Sequence, residues 1–343
     1  MTSTENPGSN SDAQTLADFL KRTHRDLRNR CRLEDPEVAW EEHRKNEEIL
    51  KKYAESMEQL ATKHWDEKFQ EDPEQSRLRW CKETTLDFFY QGGICKAKEI
   101  DDKKCQKHGL KPGAENFYRF PDVKVRLLDV GSCFNPFSEV EQFQTWAIDI
   151  APAKESVYMC DFLRVDLSAE SVPDISGREI KAFPRAFFHV VVFSLFLEYL
   201  PVPLMRYTSC QKAFDLLQTN GLLIIVTPDS KRRGRNDQMV KSWKIALQRM
   251  GFLRYSLQRR RHIHCMAFRK LPVPQVAWLE ADRDWKQYHK EPLTPEVLPS
   301  LLFIPQDSNA ELNESSHEVS KGDLHFGPDD LRDNFKELPF FSD

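Results

Sequence analysis

The feature that most restricts the fold is a series of short β-rich segments between residues 125 and 268. Helix-like spacing separates several of them, as in Pro203–Leu217 and Asn236–Met250. Two of the segments, Phe187–Phe193 and Leu222–Thr227, are continuously apolar, which is typical of strands buried on both faces of a sheet. The alternation predicts an α/β domain with a mostly parallel sheet.

The last two β-rich segments are separated only by a basic turn near Arg259–Arg261, which predicts a hairpin at the end of the domain. A late strand that inserts antiparallel is typical of class I methyltransferases, whose Rossmann-like sheet has seven strands. We therefore expect that fold, with a helix at Phe137–Gln144 after the first strand. The predicted strands are Val125–Val130, Thr145–Ile150, Ser156–Cys160, Phe187–Phe193, Leu222–Thr227, Leu253–Leu257 and His262–Phe268.

The residues before this domain have helical spacing and no strand-like alternation. Leu50, Tyr53, Met57 and Leu60 recur at intervals of three and four residues, and Gly92-Gly93 ends a later helical segment. This pattern predicts a small all-helical domain. The expected organisation is a disordered tail at 1–12, the helical domain at 13–98, a linker at 99–119, the methyltransferase-like domain at 120–271, a proline-rich extension at 272–305 and an acidic, mostly disordered tail at 306–343.

Charge and composition exclude few classes of function. The net charge is −4; residues 306–343 carry ten acidic and three basic side chains, a net of −7, which leaves residues 1–305 at +3. That excess is too small to indicate nucleic-acid binding. No leader-like pattern or apolar run of ~18 residues is present, so we expect a cytoplasmic protein without a membrane segment. The eight cysteines are scattered, and Cys95, Cys105 and His108 lack a fourth ligand, so no metal site is expected.

The stretch "RLLDVGSCFNPF" (126–137) resembles the start of a nucleotide-binding fold but lacks its later glycines. A pyrophosphate needs several backbone amides at close range, and the bulky residues after Gly131 obstruct that approach. Pro136 also removes one amide donor. S-adenosylmethionine carries no phosphate, so the loop favours that ligand over a dinucleotide.

Polar residues end successive predicted strands, where ligands bind in open α/β sheets. Asp149 follows Gly131 by 18 residues (149 − 131), close to the ~20-residue offset of an acid that accepts ribose hydroxyls. Asp161 and Phe162 can accept from and stack on adenine, and Ser194 ends the fourth strand. Each has an ordinary alternative: a turn glycine, a strand-end or capping acid, a capping serine. Together they predict an adenosine pocket.

No catalytic residue stands out. Enzymes that methylate an exocyclic amine commonly carry an Asn/Asp-Pro-Pro-aromatic turn after the fourth strand, whereas this chain has "VVVFSLFLEYLP" (190–201). Two basic clusters, Lys231–Arg235 and Arg259–His262, could contact phosphate, although solvated charge is the usual role of such loops. His262 and His264 lie on one face of the last strand, where a structural role is the commoner one.

The motifs resemble a known family closely. The chain is similar to the SAMTOR family, the S-adenosylmethionine sensors upstream of TOR complex 1, whose nearest relatives are fungal methyltransferases of ribosomal RNA adenine. The resemblance covers about residues 14–271 and extends to "LLFIPQD" (301–307). The stretches that carry it are "LLDVGSCFNPF", "AIDIAPAKESVYMCDFL", "FFHVVVFSLFLEYLP", "NGLLIIVTPDS", "KSWKIAL", "MAFRK", "EEHRKNEEILKKYAESMEQLATKHW" and "SRLRWC".

The resemblance implies that S-adenosylmethionine is the ligand, with S-adenosylhomocysteine also bound. Arg77 of "SRLRWC" would close over the ligand from the helical domain, where a cation suits the methionine carboxylate; its alternative is a surface arginine. Possible lid residues are His64, Trp65 and Trp80. The other ligand residues implied are Gly131, Ser132, Cys133, Phe134, Asp149, Ile150, Asp161, Phe162 and Ser194.

The resemblance further implies a sensor without detectable turnover. Its ligand-free form would bind the GATOR and KICSTOR complexes, repress TOR complex 1 signalling and be recruited through these partners to the lysosomal surface. S-adenosylmethionine would release it. Two alternatives stay open: an active S-adenosylmethionine-dependent methyltransferase that acts on RNA adenine, and a scaffold whose pocket is vestigial.

Overall fold

The computed structural model describes residues 7–65, 75–119, 123–229, 233–260 and 262–310. A bundle of helices precedes the sheet, and further helices cover the sheet on both faces. None of the helices in these described ranges is both long and apolar enough to cross a membrane. The helices are α1 (Pro7–Leu33), α2 (Pro36–Lys45), α3 (Glu47–Gln59), α4 (Arg77–Tyr90), α5 (Gly93–Lys107), α6 (Pro203–Leu216), α7 (Arg233–Met250) and α8 (Pro274–Lys286).

One ten-stranded sheet forms the centre of the described structure. Its order is β4-β6-β3-β2-β1-β7-β8-β10-β9, with β5 paired to β6. The pairs from β3 to β8 are parallel, and β10 inserts antiparallel between β8 and β9. The strands are β1 (Val125–Val130), β2 (Phe143–Asp149), β3 (Tyr158–Met159), β4 (Asp166–Ser168), β5 (Asp174–Ser176), β6 (Glu179–Pro184), β7 (Phe188–Ser194), β8 (Leu217–Pro228), β9 (Phe252–Arg260) and β10 (Ile263–Lys270).

The order β3-β2-β1-β7-β8-β10-β9 is the sheet of a class I methyltransferase, with its penultimate position taken by an antiparallel strand. The predicted fold class is thus confirmed, and all seven predicted strands are present. The sequence analysis missed β4, β5 and β6, which extend the edge next to β3. β4 and β5 have three residues each, without a buried position, and β6 includes charged and exposed residues, so none of them has the continuous apolar run by which buried strands were recognised.

The helix predicted at Phe137–Gln144 is wrong. The chain makes turns there and enters β2 at Phe143. Cys133 and Asn135 have left-handed backbone angles, with φ of 55° and 58°, and Pro136 supplies no amide. These residues lie before the predicted helix and shape only the loop that precedes it. Phe137, Val140 and Phe143 recur every three residues, which resembles a helix face, but they reach one core cluster from turns and from the first residue of β2.

Helices bury both faces of the sheet. On one face, Phe193 and Leu223 pack in a core cluster that includes Leu27 of α1 and Trp40 of α2. On the other face, Val192 and Ile224 pack in a cluster with residues of α4 and α5. The strand β7 is buried on both sides because alternate residues enter these two clusters, as its continuous apolar run predicted.

Helix α5 occupies much of the segment that was expected to be a linker at 99–119. Its buried positions include Ala97, Asp101 and Cys105, which lie on one face of the helix. Asp101 pairs with Arg269 of β10, and both side chains are buried. A linker was predicted because the segment carries charge, glycine and proline without periodicity, whereas this charged pair is internal; helix α5 ends only at Lys107.

The two ends of the chain are more ordered than expected over the residues that the structure describes. Helix α1 begins at Pro7, inside the segment expected to be a tail at 1–12. The proline-rich extension at 272–305 contains α8 and a short 3-10 helix, Pro299–Leu302. A second 3-10 helix, Pro305–Ala310, continues into the segment predicted as an acidic tail from residue 306. The remainder of that tail, residues 311–343, lies outside the described residues.

Candidate ligand pocket at the strand ends

A pocket lies between the carboxyl ends of the central strands and helices α2 and α3. It contains about 750 Å³ of space, open solvent at its mouth included. The helices α1 to α3 form its roof, and the roof residues that line it are Trp40, Leu50, Tyr53, Ala54 and Met57. The lining residues on the sheet side are Val130, Gly131, Cys133, Asp149, Ile150, Ala151, Cys160, Asp161, Phe162, Leu163, Ser194, Leu195, Phe196, Tyr199 and Leu200.

Gly131 directly follows β1, and the chain turns there at the edge of the pocket. Its φ is +72°, and a Cβ built on it would lie 3.2 Å from Cδ2 of Phe196. The amides of Gly131 and Ser132 both donate to the carbonyl oxygen of Ile148, at 2.9 and 3.0 Å. The turn therefore requires glycine both for its left-handed backbone and for the close approach of Phe196.

Ser132 and Phe134 shape the loop from behind and do not line the pocket. The Ser132 hydroxyl donates to Oδ2 of Asp129 at 2.6 Å and accepts from the amide of Asn135 at 3.2 Å. Burial raises the pKa of the Asp129 carboxyl to about 6, although the hydrogen bond from Ser132 opposes the shift. Phe134 instead packs in a cluster with α1 and α3. Both residues position the loop.

Asp149 lines the pocket at the end of β2, as its spacing predicted. Its two carboxylate oxygens accept from the amides of Cys133, at 3.1 Å, and Ala151, at 2.8 Å. Burial raises the pKa of this carboxyl to about 6, against the lowering effect of these backbone hydrogen bonds. The carboxylate is thus fixed in orientation, and Ile150 lines the wall beside it.

Asp161 lies across the pocket from Gly131, after β3. Its Oδ1 accepts from the amide of Leu163 at 3.0 Å, and its Oδ2 accepts from the indole Nε1 of Trp40 at 3.0 Å. Phe162 also lines the pocket, but its ring is largely buried and meets Phe193 edge-on at 5.6 Å. The Asp161 carboxylate therefore joins the sheet side to the roof.

Arg77 reaches the end of β7 from the first turn of α4. It is buried, and its Nε donates to Oγ of Ser194 at 3.1 Å. Ser194 lines the pocket, whereas Arg77 stands behind it. Trp80 of the same helix is buried in the core on the face of the sheet that α4 and α5 cover, and it does not line the pocket. The side chains of His64 and Trp65 lie outside the described residues.

The sequence analysis missed the roof residues. The hydroxyl of Tyr53 and Nε2 of His24 form a hydrogen bond of 2.7 Å, and the hydroxyl of Tyr199 and Nε2 of His43 form one of 2.5 Å. Burial lowers the pKa of His24 to about 3 and that of His43 to about 4, so both imidazoles are neutral at physiological pH. The helical spacing of Tyr53 and its neighbours did reveal a buried face, but that spacing is the same for a core and for a pocket wall.

Polar contacts hold the roof to the sheet at several further points. Glu37 of α2 pairs with Arg164 at 2.9 Å, and Glu58 of α3 pairs with Lys154 at 2.5 Å. The Cys133 thiol lies 3.6 Å from the carbonyl oxygen of Ala54, and burial raises the pKa of that thiol far above its usual range. The cysteine is therefore a packing residue and is unsuited to act as a nucleophile.

The arrangement favours a ligand with an apolar body and neutral hydroxyl or amine donors. The two carboxylates that accept such donors, Asp149 and Asp161, lie on neighbouring strand ends. Among the residues described by the structure, no group of three or more His, Cys, Asp or Glu side chains could hold a metal ion.

Solved methyltransferase structures resemble the chain only weakly. The N-methyltransferase NodS from Bradyrhizobium japonicum WM9, in complex with S-adenosyl-L-homocysteine, matches at 14% identity and a TM-score of 0.31, over 43% of this chain and 79% of its own. A complex of the Haloferax volcanii Trm112 methyltransferase activator with a putative methyltransferase matches at 8% identity and a TM-score of 0.32, over 55% of this chain and 97% of that one. The fold assignment therefore rests on the strand order.

Similarity in sequence is far stronger. No family model matches the chain. A protein of Danio rerio named "S-adenosylmethionine sensor upstream of mTORC1" is 36% identical over 354 aligned residues, which cover 96% of this chain and 85% of the relative. Proteins of the same name from Xenopus laevis and Xenopus tropicalis are 35% and 36% identical, over 96% of this chain and 84% of each relative. This chain belongs to the family of S-adenosylmethionine sensors upstream of mTORC1.

Proposed function

We propose that the pocket binds S-adenosylmethionine and that the protein reports this ligand to its partners instead of transferring the methyl group. The observation that carries the proposal is the position of Asp149, an oriented carboxylate at the end of β2 in an enclosed, largely apolar pocket. The names of the relatives and the fold support the same ligand. S-adenosylhomocysteine shares the adenosine part and is expected to bind as well.

The pocket residues suggest which end of the ligand lies where. Asp149 would accept the ribose hydroxyls, and Asp161 would accept the adenine amino group beside Ile150 and Phe162. The amino-acid end would then point to Gly131 and towards Ser194. Arg77, which holds Ser194 from behind, would supply positive charge on the side of the methionine carboxylate.

The roof gives the ligand a way to act on a partner surface. Trp40, Tyr53 and Met57 belong to the helical region, whereas the two carboxylates belong to the sheet. A ligand in contact with both parts favours the arrangement in which they are closed, by the difference in its affinity for the closed and open arrangements. We propose that the GATOR and KICSTOR complexes bind the ligand-free arrangement, and that ligand binding releases them and relieves repression of TOR complex 1.

We further propose that the protein is cytoplasmic and is recruited to the lysosomal surface through these partners. For a metabolite sensor, the dissociation constant should lie near the cellular concentration of the ligand. Retention of the pocket would equally suit the alternative function, an active methyltransferase on RNA adenine. The polar side chains of the lining from Ser194 onward already have partners, however: Ser194 accepts from Arg77, and the hydroxyl of Tyr199 is hydrogen-bonded to Nε2 of His43, which favours the sensor.

Calorimetry of the purified full chain against S-adenosylmethionine and S-adenosylhomocysteine tests the proposal. We expect micromolar binding that Asp149→Ala abolishes and that Asp174→Ala, at an exposed acid on β5, leaves unchanged. Association with GATOR and KICSTOR should then fall on addition of ligand for the wild type and persist for Asp149→Ala. Absence of binding by the wild type would rule out both the sensor and the enzyme, whereas ligand-dependent methylation of an RNA would favour the alternative function.

A further inference from the structure

We propose that Asp307 is a positioning residue for the ligand pocket: its carboxylate is the shared counter-charge of two buried arginines, Arg28 and Arg206, that hold the pocket wall. The wall is the segment 194–200 that follows β7. The inference depends on the proposed function, because it takes this pocket to be the ligand site. It assigns a role in the pocket to a segment, residues 299–310, that lies at the far end of the described chain.

Arg206 of α6 is fully buried, and each of its hydrogen bonds goes to the wall or to the C-terminal segment. Its Nε donates to the carbonyl oxygen of Leu200 at 3.2 Å, and Leu200 lines the pocket. Its Nη1 donates to the carbonyl oxygen of Leu302 at 2.7 Å. Its two terminal nitrogens also donate to the two carboxylate oxygens of Asp307, both at 2.7 Å. Such a bidentate pair fixes the plane of the guanidinium.

Arg28 of α1 approaches the same wall from the roof. It is buried, and its Nη1 donates to the carbonyl oxygen of Glu198 at 3.3 Å. Burial lowers the pKa of Arg28 to about 10; Asp307 is the strongest neighbour that raises it again, and Arg206 is among those that lower it. The carbonyl groups that the two arginines contact, those of Glu198 and Leu200, are two residues apart, so the two positive charges lie near each other and repel. Asp307, which pairs directly with Arg206, offsets that repulsion.

Glu198 is less suited to this task. Its carboxyl accepts from the hydroxyl of Thr227, and burial raises its pKa to about 7, against the lowering effect of Arg206 and Arg28. Its negative charge is therefore only partial near neutral pH. Asp307 also receives, on its carbonyl oxygen, a 3.4 Å hydrogen bond from Arg32 of α1. The segment that holds Asp307 thus touches both the sheet domain, through α6, and the roof, through α1.

The C-terminal segment has other anchors that do not involve the Asp307 carboxylate. Leu302 and Ile304 are buried in the main core cluster, and the indole Nε1 of Trp243 donates to the carbonyl oxygen of Phe303 at 2.7 Å. Substitution of the carboxylate should therefore leave the segment docked. Loss of the Asp307 carboxylate leaves the buried charges of Arg28 and Arg206 incompletely balanced. We expect their repulsion to push α1 away from α6.

The test compares Asp307→Asn with the wild type in the full chain, by calorimetry with S-adenosylmethionine and by amide hydrogen exchange without ligand. We expect at least a tenfold rise in the dissociation constant. Exchange should accelerate in α1 and at residues 194–200 but not in β1 and β2. Asp307→Glu, which keeps the negative charge, should retain most of the affinity. Asp282→Asn, at a half-exposed acid that pairs with Arg249, is the matched control.

Three results would contradict the inference or its basis, and they are distinguishable. An unchanged affinity for Asp307→Asn, with normal binding by the wild type, would overturn the inference and leave the proposed function intact. A uniform acceleration of exchange across the sheet would overturn it too, because Asp307 would then contribute only to global stability. If the wild type binds no ligand, the proposed function fails, while the exchange pattern of the ligand-free variants still tests whether Asp307 positions the wall.

Discussion

The indole Nε1 of Trp40 donates a hydrogen bond to Oδ2 of Asp161 at 3.0 Å, and this bond joins the helical roof to the sheet across the pocket. Asp161 is the residue from which the sequence predicts a contact with adenine. A carboxylate oxygen can accept more than one hydrogen bond, so Asp161 can bind the roof and the ligand together. The position of the roof is thereby coupled to the occupancy of the adenine end of the pocket.

Substitution of Trp40 by Phe tests this coupling. The variant keeps an aromatic ring but removes the donor, which leaves Asp161 with only a longer contact to the roof, the 4.0 Å ion pair with Arg44 of α2. Loss of a hydrogen bond to a charged group costs about 1.5–3 kcal/mol. We expect a roughly 10- to 100-fold weaker affinity for S-adenosylmethionine by calorimetry. Trp278→Phe, at an exposed tryptophan of α8, should change nothing; a wild-type affinity for Trp40→Phe would show that the ligand does not depend on the roof.

Gly131→Ala should abolish or strongly reduce ligand binding. The alanine would have to adopt φ near +72°, and its Cβ would lie 3.2 Å from the Phe196 ring, which lines the pocket. Gly177→Ala is a matched control, because Gly177 also has a left-handed backbone (φ +62°) but no atom within 4 Å of the added Cβ. Both variants should lose about 1–2 kcal/mol of stability in denaturant titration. Equal ligand affinities for the two would contradict the assignment of Gly131.

The contrast between Asp149 and Tyr53 shows how far the sequence leads. Asp149 was predicted because an acid at the end of the second strand has a fixed relation to the glycine turn, and the structure places both in one pocket. Tyr53 was recognised only as part of a buried helix face. Periodicity measures which side of a helix avoids water, and a pocket roof avoids water as a core does. Local spacing does not reveal which residues of the sheet domain lie opposite Tyr53.

Helix α5 and the C-terminal segment were missed for a related reason. The charges of Asp101 and Asp307 look solvated in the sequence, whereas each pairs with a buried arginine, Arg269 or Arg206, far away in the chain. Sequence patterns treat a charge as a surface residue, since a buried charge without a partner is very costly. Only the tertiary structure brings the partners together. The polar residues that the sequence placed correctly, such as Asp149, lie at strand ends, where topology alone fixes their surroundings.

Arg77→Met should weaken binding of S-adenosylmethionine by about 10-fold, roughly the cost of one hydrogen bond and a nearby positive charge. The variant removes the donor that holds Ser194 at 3.1 Å. Arg79→Met is the control, because Arg79 lies two residues further on the same helix, on another face, and pairs with the half-exposed Glu83. Adenosine lacks the methionine part, so its affinity should change much less; an equal loss for adenosine would place Arg77 outside the amino-acid end of the site.

The affinity for S-adenosylmethionine should rise with pH through about 6. Burial holds the pKa of Asp149 at about 6, and only the ionised carboxylate can accept both ribose hydroxyls. Calorimetry between pH 5 and 7.5 should show a dissociation constant that falls with increasing pH and levels off above about 7. Adenosine should show the same profile, because its ribose is identical. A flat profile for both ligands would contradict a role of the Asp149 carboxylate in ribose binding.

The stability of the protein should respond to pH through Glu198. Burial raises the pKa of this carboxyl from an ordinary value of 4.5 to about 7, so the folded protein binds the proton more tightly than the unfolded chain. Its contribution to the free energy of unfolding is complete below pH 4.5 and is lost as the pH rises towards 7.

Glu198→Gln cannot titrate but keeps an oxygen that can accept from Thr227. Its stability relative to the wild type should increase by about 1–3 kcal/mol between pH 4.5 and 8 in denaturant titration. Glu55→Gln, at an exposed position of α3, should show no such trend. A pH-independent difference for Glu198→Gln would mean that Glu198 stays ionised in the folded protein, balanced by Arg28 and Arg206, and Asp307 would then share their charge with it.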